Sequence, residues 1–463
     1  MLHNRTAMQR NAHPIKACKA VEVRGADGSD LPEEMRLNDT TQDRYATHGD
    51  LLLVLNCGSS SIKFALFDAG QSPLPRAPVW NGKVQGIGEP APTYGETDVE
   101  PAPLVLDAQH PYFSALERIR ERVIARLGAR RLAAVAHRVV HGGSKYVDPV
   151  RVDTGVLADL KTYIALAPLH QPFALEAIER LLLTYPALPQ FACFDTGFHH
   201  TLPIVEQMLP LPYANWERGL RRYGFHGLSY AYLSVALPER HGELAQGRVI
   251  AAHLGSGASL CAMRGMQSMA TTMGFSALDG LMMGTRPGAL GPGAVIYLME
   301  IEKLTLEQVA HMLYHDSGLL GVSGLSSDPR VLLEAEGRDD AVGERARAAL
   351  ALYVRSIVRE IGGSVAVLGG LDLLVFTAGI GEHSVTVRAR VCEALNCFGI
   401  ELDAKANGAH ATTISTAASR VRVGIEPTNE EWIAARDAVQ LLLSGTADSA
   451  PTPKGRPLPA LRG

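Results

Sequence analysis

The sequence predicts an α/β protein built from two related domains with a cleft between them. Short apolar runs typical of β-strands alternate along the chain with segments whose apolar residues recur at helical spacing. Residues 52–63 and 249–260 follow one plan, in which an apolar strand leads into a Gly/Ser turn and then into a second strand. Two similar segments so far apart in the chain indicate that one domain has been duplicated.

The length and composition of the chain fit two large globular domains. It has 463 residues, of which 46% are hydrophobic and 20% charged, so sizeable cores can form. The formal net charge of −4 is far from the basic balance of a nonspecific nucleic-acid binder. No apolar run reaches the length of a membrane span, and the N-terminus lacks the apolar stretch of a secretory signal. We therefore expect a cytoplasmic protein with no nucleic-acid or membrane partner.

The two ends of the chain differ from the rest. Residues 1–49 mix charges of both signs with Asn, Gly and Asp and show neither helical nor strand periodicity, which predicts a flexible N-terminal extension. Residues 444–463 form a Pro-rich tail. We expect neither end to carry chemistry.

The six cysteines are scattered, without the paired spacing of a zinc site or a redox motif. Cysteine outside a disulfide is usually packing material. We therefore interpret all six as reduced thiols and expect each to be a small buried hydrophobic residue. They are Cys18, Cys57, Cys193, Cys261, Cys392 and Cys397.

Several elements can be assigned from local patterns. The first strand pair is predicted at 51–56 and 62–68. Apolar residues at helical spacing within 350–361 predict an amphipathic helix. Two further helices are expected to begin with capping boxes, in which a Thr and a Gln or Glu three residues later cap each other. The two pairs are Thr305 with Gln308, and Thr428 with Glu431.

Three Gly-containing loops that follow apolar strands indicate phosphate chemistry. They lie at 56–61, at 254–258, and at 378–382 after a predicted strand at 373–377. Tight Gly/Ser turns let backbone amides approach an anion without interference from a Cβ atom. The chain has neither a GxxxxGK[ST] loop nor a GxGxxG loop opening a helix beside a strand, which excludes both familiar nucleotide motifs. The remaining interpretation is a β-hairpin that binds phosphate, with Lys63 on the strand that follows the first turn.

A series of short motifs then occurs in a fixed order along the chain. They are Asn56-Cys-Gly-Ser-Ser-Ser-Ile-Lys63, His137-Arg-Val-Val-His-Gly-Gly143, Ala167-Pro-Leu-His170, Phe194-Asp-Thr196, Tyr223-Gly-Phe-His-Gly227, Met283-Gly-Thr-Arg286, Gly379-Ile-Gly-Glu382 and Pro427-Thr-Asn-Glu-Glu431. Any one of these strings is weak evidence, but their ordered occurrence over residues 51–443 is highly specific. Together they resemble the acetate kinase family of short-chain acyl kinases.

The resemblance implies two duplicated actin-like domains, of the type shared by sugar kinases, Hsp70 and actin and related to ribonuclease H. The first domain would span 50–197 and be closed by a C-terminal helix at 431–443, and the second, nucleotide-binding domain would span 198–430. The resemblance also implies a homodimer that uses ATP and Mg²⁺ or Mn²⁺ to convert acetate or another short-chain carboxylate reversibly into the acyl phosphate and ADP. Propionate kinase is the alternative within the family.

The resemblance assigns catalytic roles to four residues. Arg138 would hold the substrate, Asp195 would be catalytic, and His226 and Arg286 would stabilise the transition state. A carboxylate is already ionised at pH 7, so its attack on phosphate needs no base, and the difficulty is to bring two anions together. Cations must therefore dominate the cleft, and guanidinium forks suit carboxylate and phosphoryl oxygens. Since phosphate would repel Asp195, we expect this residue to orient an arginine or a metal-bound water.

Further residues are assigned to the metal ion, the nucleotide and the acyl group. Asn56 and Glu430 would hold the metal, and Lys63 would contact ATP phosphate. The capping role expected of Glu431 would leave Glu430 free for the metal. The nucleotide loops would be His253, Leu254, Gly255, Ser256 and Gly257; Asp328, Pro329 and Arg330; and Gly379, Ile380, Gly381, Glu382 and His383. The acyl group would contact Arg138, Val140, Leu169, His170, Phe225 and Ala277.

Four positions depart from the pattern usual in the family. Ser256 and His383 each replace an Asn, Ala270 replaces an Asp, and 289–291 replace an acidic pair. None of these departures removes a proposed charged catalytic group. We expect them to alter nucleotide affinity or nucleotide choice.

Two interpretations from other classes remain beside the kinase. A non-catalytic nucleotide-binding member of the actin-like fold would carry similar loops, and the four departures favour it, whereas the intact catalytic residues argue against it. A metalloenzyme could use His137 with His141, or His199 with His200. The first of these pairs lies where a strand enters a Gly-Gly turn, so it lacks the geometry of a helical ligand pair. Without their motifs, the arginines would be interpreted as ion-pair residues and His226 as a core histidine.

Overall fold

The computed structural model describes residues 49–168 and 170–444. The extension predicted at 1–49 lies outside the described residues except for Gly49, and the tail predicted at 444–463 lies outside them except for Ser444. Leu169 also lies outside the described residues. The predictions made for these three parts of the chain stay predictions.

A first sheet forms around the predicted strand pair. Its strands are β1 Leu51–Cys57, β2 Ser61–Asp68, β3 Trp80–Gln85, β4 Thr93–Glu96, β5 Val99–Pro103, β6 Leu132–Val139, β7 Val150–Arg151 and β8 Gln190–Phe194. Their spatial order is β5-β4-β3-β2-β1-β6-β8-β7. Strands β1, β6 and β8 run parallel, whereas β2 to β5 continue from β1 as an antiparallel meander.

The second sheet repeats the plan of the first. Its strands are β9 Arg248–Leu254, β10 Ala258–Arg264, β11 Gln267–Thr271, β12 Leu373–Thr377 and β13 Arg422–Ile425. The order β11-β10-β9-β12-β13 matches β3-β2-β1-β6-β8, and the parallel and antiparallel pairings match as well. The duplicated α/β architecture predicted from the two hairpin segments is therefore confirmed.

The helices of the described chain surround and connect the two sheets. They are α1 Pro111–Leu127, α2 Thr154–Thr162, α3 Gln171–Thr184, α4 Ile204–Gln207, α5 Tyr213–Glu217, α6 Gly227–His241, α7 Pro292–Glu300, α8 Leu306–His315, α9 Gly318–Ser323, α10 Pro329–Ala335, α11 Ala341–Leu368, α12 Ala378–His383, α13 Val385–Ala394, α14 Ala404–Gly408 and α15 Glu430–Ser444. None of these helices is long and apolar enough to cross a membrane.

One apolar cluster joins the two sheets through helices α6 and α15. It contains Val54 of β1 and Val375 of β12 together with Leu233 of α6 and Ile433 of α15, all buried. Burying apolar surface is the main favourable term in folding, so this cluster fixes each sheet relative to the two helices. The N-termini of both helices thereby come to the side where the strands end, which is where the candidate site lies.

Of the three helices predicted from local patterns, two are confirmed as predicted, and the capping of the third is wrong. The amphipathic helix predicted within 350–361 is part of α11, and Thr305 and Gln308 form the expected capping box at α8. The box predicted for Thr428 is wrong: the helix begins at Glu430, and Asn429 accepts the hydrogen bond from the Trp432 amide at 3.0 Å. Thr428 does not cap the helix because its hydroxyl donates to the hydroxyl of Ser229 on α6.

The cysteine prediction is correct at four described positions and wrong at a fifth. Cys57, Cys193, Cys261 and Cys392 are free and buried. Cys397 is free but exposed, because it lies in a short turn after α13 rather than on a buried face.

We predict that Asn429→Ala destabilises the protein by about 1 kcal/mol, the usual loss when an N-cap acceptor is removed. The measurement is urea unfolding of wild type and variant. Asn429→Asp is the control, because it keeps the cap acceptor while losing the amide that donates to the Arg76 carbonyl. Equal losses in both variants would mean that the contact with Arg76, not the cap, stabilises this helix start.

Candidate active site

Arg138 is the centre of a buried ion cluster at the carboxyl ends of β1, β6 and β8. Its Nε lies 3.0 and 3.1 Å from the two carboxylate oxygens of Asp195, and its Nη2 donates to the same residue at 2.5 Å. Its Nη1 donates to the Asn56 amide oxygen at 3.0 Å. Glu430, the first residue of α15, has a carboxylate oxygen 3.7 Å from Arg138 Nε. Three neighbouring strands and a helix N-terminus thus converge on one guanidinium.

The charges of this cluster stabilise one another. The Asp195 side chain is 2% exposed, and burial raises its pKa against the opposing effect of Arg138. Burial would also raise the pKa of Glu430, but nearby cations, Arg138 first, lower it overall. In turn the two carboxylates raise the pKa of Arg138 despite its burial. Asp195 therefore orients an arginine, which is one of the two roles expected from the sequence.

Arg286 is a partly buried guanidinium in a different situation. Within residues 49–168 and 170–444 no carboxylate pairs with it, and its hydrogen bond goes from Nη1 to the Ala277 carbonyl at 2.7 Å. Burial lowers its pKa. Even partial burial of a charge without a counter-ion is costly, and an entering anion would relieve that cost. Arg286 is therefore built to receive an anion.

Because Gly257 has no side chain, a small space remains that both Arg286 and His226 face. A Cβ atom at this position would lie 2.6 Å from Arg286 Nη2 and 3.3 Å from His226 Nε2. The nearer of these atoms is the end of a flexible arginine side chain, and both nitrogen atoms face the same small volume beside the β9–β10 turn. An oxyanion placed there could accept hydrogen bonds from both side chains.

His226 is a neutral histidine held in a strained backbone conformation. Its φ of 58° is left-handed and directly precedes helix α6. Its ring stacks on that of His253 with centroids 4.1 Å apart and planes 13° from parallel. Burial, followed by the neighbouring His253 and then by Arg138 and Arg286, holds the pKa of His226 well below its ordinary value. The imidazole is therefore neutral at pH 7 and can act as a hydrogen-bond donor without adding charge.

The three predicted nucleotide loops meet around the β9–β10 turn. A Cβ atom on Gly255 would lie 3.7 Å from the Ala378 Cβ at the start of α12. The Ser256 carbonyl accepts a hydrogen bond from the Gly284 amide at 3.4 Å. A Cβ atom on Gly284 would lie 3.3 Å from Ser327, which directly precedes the loop at 328–330. The three loops that were assigned to one site from the sequence therefore lie close together in the fold.

Within these loops the side chains differ in exposure. Leu254 and Pro329 are buried, so they can offer a ligand only their backbone. Arg330 is 83% exposed and pairs with Asp328, which caps α10. His383 is also exposed, whereas Glu382 is largely buried and accepts from the Thr428 amide at 3.1 Å. The remaining loop residues are His253, Gly255, Ser256, Gly257, Gly379, Ile380 and Gly381, in the β9–β10 turn and α12.

The predicted acyl pocket lies on the apolar side of the same site. Phe225 belongs to the core cluster of the second sheet, and Val140 and Ala277 pack against that cluster. His170 precedes α3, and its pKa is lowered to about 4 by burial and by the fields of Arg286 and Arg138. Arg138 and Arg286 therefore act on the pKa of His170 as they do on that of His226.

Lys63 lies on β2 directly opposite Asn56 in the strand register. Its side chain is exposed, and its charge contributes to lowering the pKa of Glu430. It therefore reaches the edge of the ion cluster from the solvent side, as expected of a residue that meets phosphate.

Sequence reasoning missed Arg388, which is fully buried on α13. Its Nη1 donates to the carbonyls of Gly381 and Glu382 at 2.9 and 2.7 Å, and its Nε donates to Asn407 at 2.8 Å. Arg388 thereby fixes the backbone of the α12 loop. The available signal was its position next to Val387, on the helix face that is otherwise buried.

The histidines of the metalloenzyme alternative have structural partners. His137 Nε2 lies 2.8 Å from the Gln190 amide oxygen, and His199 bonds Ser268 and the Phe225 carbonyl. In the part of the chain that the structure describes, no group of three or more His, Cys, Asp or Glu residues could hold a metal ion. His137, His141 and His199 are core residues, whereas His200 is exposed and its Nδ1 lies 2.8 Å from the Gly197 carbonyl.

Comparison with known proteins identifies the family. The family model described as the Acetokinase family matches residues 51–436. The chain belongs to the acetokinase family. The resemblance drawn from the sequence motifs is therefore confirmed.

Curated and solved members of the acetokinase family match over nearly their whole length. The acetate kinase of Rhodopseudomonas palustris is 46% identical over 405 residues, covering 86% of this chain and 99% of that protein. The crystal structure of Porphyromonas gingivalis acetate kinase has a TM-score of 0.75 at 35% identity, covering 85% of this chain and 100% of the other. A propionate kinase from Francisella tularensis has a TM-score of 0.77 at 31% identity, covering 84% and 98%.

We predict that this member of the acetokinase family loses stability as the pH falls from 7 towards 4. Burial lowers the pKa of His137 from 6.5 to about 4, so in this range the unfolded state binds a proton that the folded state does not. A buried histidine with this shift lowers the free energy of unfolding by roughly 3 kcal/mol at pH 4. The measurement is urea unfolding at several pH values.

His137→Gln should flatten this pH dependence even if it lowers stability at pH 7. His311→Gln is the matched control, since that side chain is 66% exposed. A His137→Gln variant with the pH slope of wild type would contradict the prediction.

Proposed function

We propose that the protein is an acetate kinase, which reversibly transfers the γ-phosphoryl group of ATP to acetate and gives acetyl phosphate and ADP. Membership of the acetokinase family supports this reaction class. The observation that carries the proposal is the partly buried guanidinium of Arg286, which pairs with no carboxylate of the described residues and shares with His226 the space beside Gly257. A site of this kind suits an oxyanion that passes between two substrates.

The reaction needs positioning and charge neutralisation rather than acid–base catalysis. A carboxylate oxygen of acetate attacks the γ-phosphorus, and the bond from that phosphorus to the bridging oxygen breaks, so that ADP leaves with the electron pair. Acetate is ionised at pH 7, and no proton has to move. Residues that hold three negatively charged partners in line therefore supply the catalysis.

Arg138 would bind the carboxylate of acetate. A guanidinium has five N–H donors, and the bonds to Asp195 and Asn56 leave donors free on both Nη atoms. Asp195 acts through Arg138 as a positioning residue. Arg286 and His226 would contact the transferred phosphoryl group, and Lys63 would contact a phosphate of ATP.

A divalent cation, Mg²⁺ or Mn²⁺, fits the residues that the resemblance assigns to it. Asn56 and Glu430 offer oxygen atoms on either side of Arg138, and the second lone pair of the Asn56 amide oxygen is not used by that arginine. Two protein oxygens suffice for Mg²⁺, which keeps several waters and takes further ligands from substrate phosphates. When bound, the cation would neutralise charge that develops on the phosphate oxygens.

Several finer assignments belong to the same proposal. The first domain would span 50–197 with the helix at 431–443, and the second, 198–430, would bind ATP in the three loops around the β9–β10 turn. The homodimer and the cytoplasmic location are likewise proposed from the family resemblance.

The test is a hydroxamate assay of the purified protein with ATP and acetate, followed by formate, propionate and butyrate. We predict acyl phosphate formation by wild type and a loss of at least about a thousandfold in kcat for Arg286→Ala, the scale of a transition-state arginine. Arg118→Ala is the control, because that residue forms an exposed ion pair with Glu121. No acyl phosphate with any acid would refute the kinase and favour a non-catalytic nucleotide-binding protein.

A second candidate function, propionate kinase, is favoured by the small side chain at Ala277. With Val140 as the bulkier wall, the pocket should have room for about one more methylene than acetate fills, which is worth on the order of 1 kcal/mol. We predict that the kcat/KM for propionate lies within roughly tenfold of the value for acetate.

Ala277→Pro should shift that preference back towards acetate. The substitution keeps the carbonyl that accepts from Arg286. The comparison is the ratio of kcat/KM for the two acids in wild type and variant. An unchanged ratio, or a wild type that rejects propionate, would show that Ala277 does not shape the pocket.

A further inference from the structure

The stacked histidines His226 and His253 are each tied to a chain of hydroxyl groups. His226 Nδ1 lies 2.8 Å from the Ser259 hydroxyl on β10, and this hydroxyl lies 2.6 Å from the phenolic oxygen of Tyr230 on α6. Ser259 and Tyr230 are both fully buried. The roles proposed above for binding acetate, the metal ion and the nucleotide involve neither of these two hydroxyls.

A count of protons and acceptors fixes the direction of this chain. In the described structure the Tyr230 hydroxyl has one hydrogen-bond partner, Ser259. If Tyr230 donates to Ser259, the serine proton is free to go to His226 Nδ1, and every proton has an acceptor. If Nδ1 carried the proton instead, either Tyr230 or Ser259 would bury a hydroxyl proton without an acceptor, which costs about 1–3 kcal/mol. The favoured arrangement therefore leaves the ring proton of His226 on Nε2.

His253 repeats the arrangement on the other side of the stack. Its Nδ1 lies 2.9 Å from the Ser229 hydroxyl, to which the Thr428 hydroxyl donates at 2.8 Å. With Thr428 as the donor to Ser229, the serine proton is free to go to Nδ1, which leaves the proton of His253 on Nε2. Two serines and two further hydroxyls thus orient two parallel rings in the same way.

Both Nε2 atoms face the glycine turn between β9 and β10. A Cβ atom on Gly257 would lie 3.3 Å from His226 Nε2, and one on Gly255 would lie 3.9 Å from His253 Nε2. We propose that the hydroxyl chains Tyr230–Ser259 and Thr428–Ser229 are positioning residues that hold His226 and His253 as Nε2–H tautomers, so that both rings donate hydrogen bonds at the β9–β10 turn. The proposal rests on the proposed function, in which phosphoryl oxygens occupy this space.

The tautomer decides whether these rings attract or repel a phosphoryl oxygen. A neutral imidazole is a donor at one nitrogen and an acceptor at the other. With the proton on Nε2 it donates to the oxygen, whereas with the proton on Nδ1 it presents a lone pair to a negative charge. A hydroxyl chain sets this choice without adding a charge to a cleft that already holds two arginines.

The test is Tyr230→Phe, which removes one hydroxyl and keeps the ring. The tautomer of His226 is measured by ¹⁵N NMR of protein labelled at histidine, and kcat and KM are measured with ATP and acetate. Because the variant loses the donor to Ser259, we expect a population of the Nδ1–H form to appear and kcat to fall about tenfold, less than for full removal of a transition-state donor, with both KM values unchanged. Ser259→Ala should give the same pattern.

Tyr353→Phe is the matched control. Tyr353 is fully buried on α11, and its hydroxyl has no hydrogen-bond partner among the described residues, so its removal should change neither the tautomer nor kcat. Thermal unfolding of each variant checks that it is folded.

The NMR measurement separates this proposal from the proposed function, because it needs no turnover. A wild-type His226 protonated on Nδ1 would overturn the tautomer assignment whatever the activity. A Tyr230→Phe variant that loses kcat with an unchanged tautomer, or changes tautomer with an unchanged kcat, would also overturn the positioning role. A wild type with the Nε2–H tautomer but no acyl phosphate product would refute the kinase and leave the assignment of the proton intact.

Discussion

The unequal pairing of two partly buried arginines governs the site. Arg138 is bonded to Asp195 and lies close to Glu430, so its charge is neutralised before any ligand arrives. Arg286 has a backbone carbonyl as its partner, and burial lowers its pKa. A partly buried charge without a counter-ion is stable only in a fold whose other interactions outweigh its cost. Arg286 can therefore attract an anion at the place where two anionic substrates must meet.

The duplicated sheet explains how these groups reach one place. Parallel strands bring their carboxyl ends to a common edge, so Asn56 on β1, Arg138 on β6 and Asp195 after β8 become neighbours although they are distant in sequence. The equivalent edge of the second sheet supplies the β9–β10 turn and α12. Helices α6 and α15 share one apolar cluster with both sheets, and their first residues reach the site from that position. Gly227, which begins α6, approaches the Asp195 carbonyl so closely that a Cβ atom would lie 2.2 Å from it.

Local patterns predicted the parts of the fold that depend on neighbours in sequence. The hairpins, the strand at 373–377 and the capping box at Thr305 follow from alternation, turn chemistry and i,i+3 spacing. The box at Thr428 failed because the competing acceptor, Ser229, belongs to another helix. Arg388 escaped notice for a similar reason, since its partners come from α12 and α14. The candidate site residues came from ordered motifs, whereas the imbalance between the two arginines is a tertiary property that no short string contains.

The histidine pair shows why burial of a polar group can serve chemistry rather than oppose it. Two parallel rings at 4.1 Å would repel each other if both were protonated, and the nearby arginines add to that cost. Desolvation removes the charge, and a neutral ring then has one donor whose direction its surroundings must choose. Serine hydroxyls can donate or accept, so each is directed only by a further hydroxyl behind it. The site thereby separates two tasks: the arginines supply positive charge, and the histidines supply hydrogen bonds whose strength does not depend on gaining a proton.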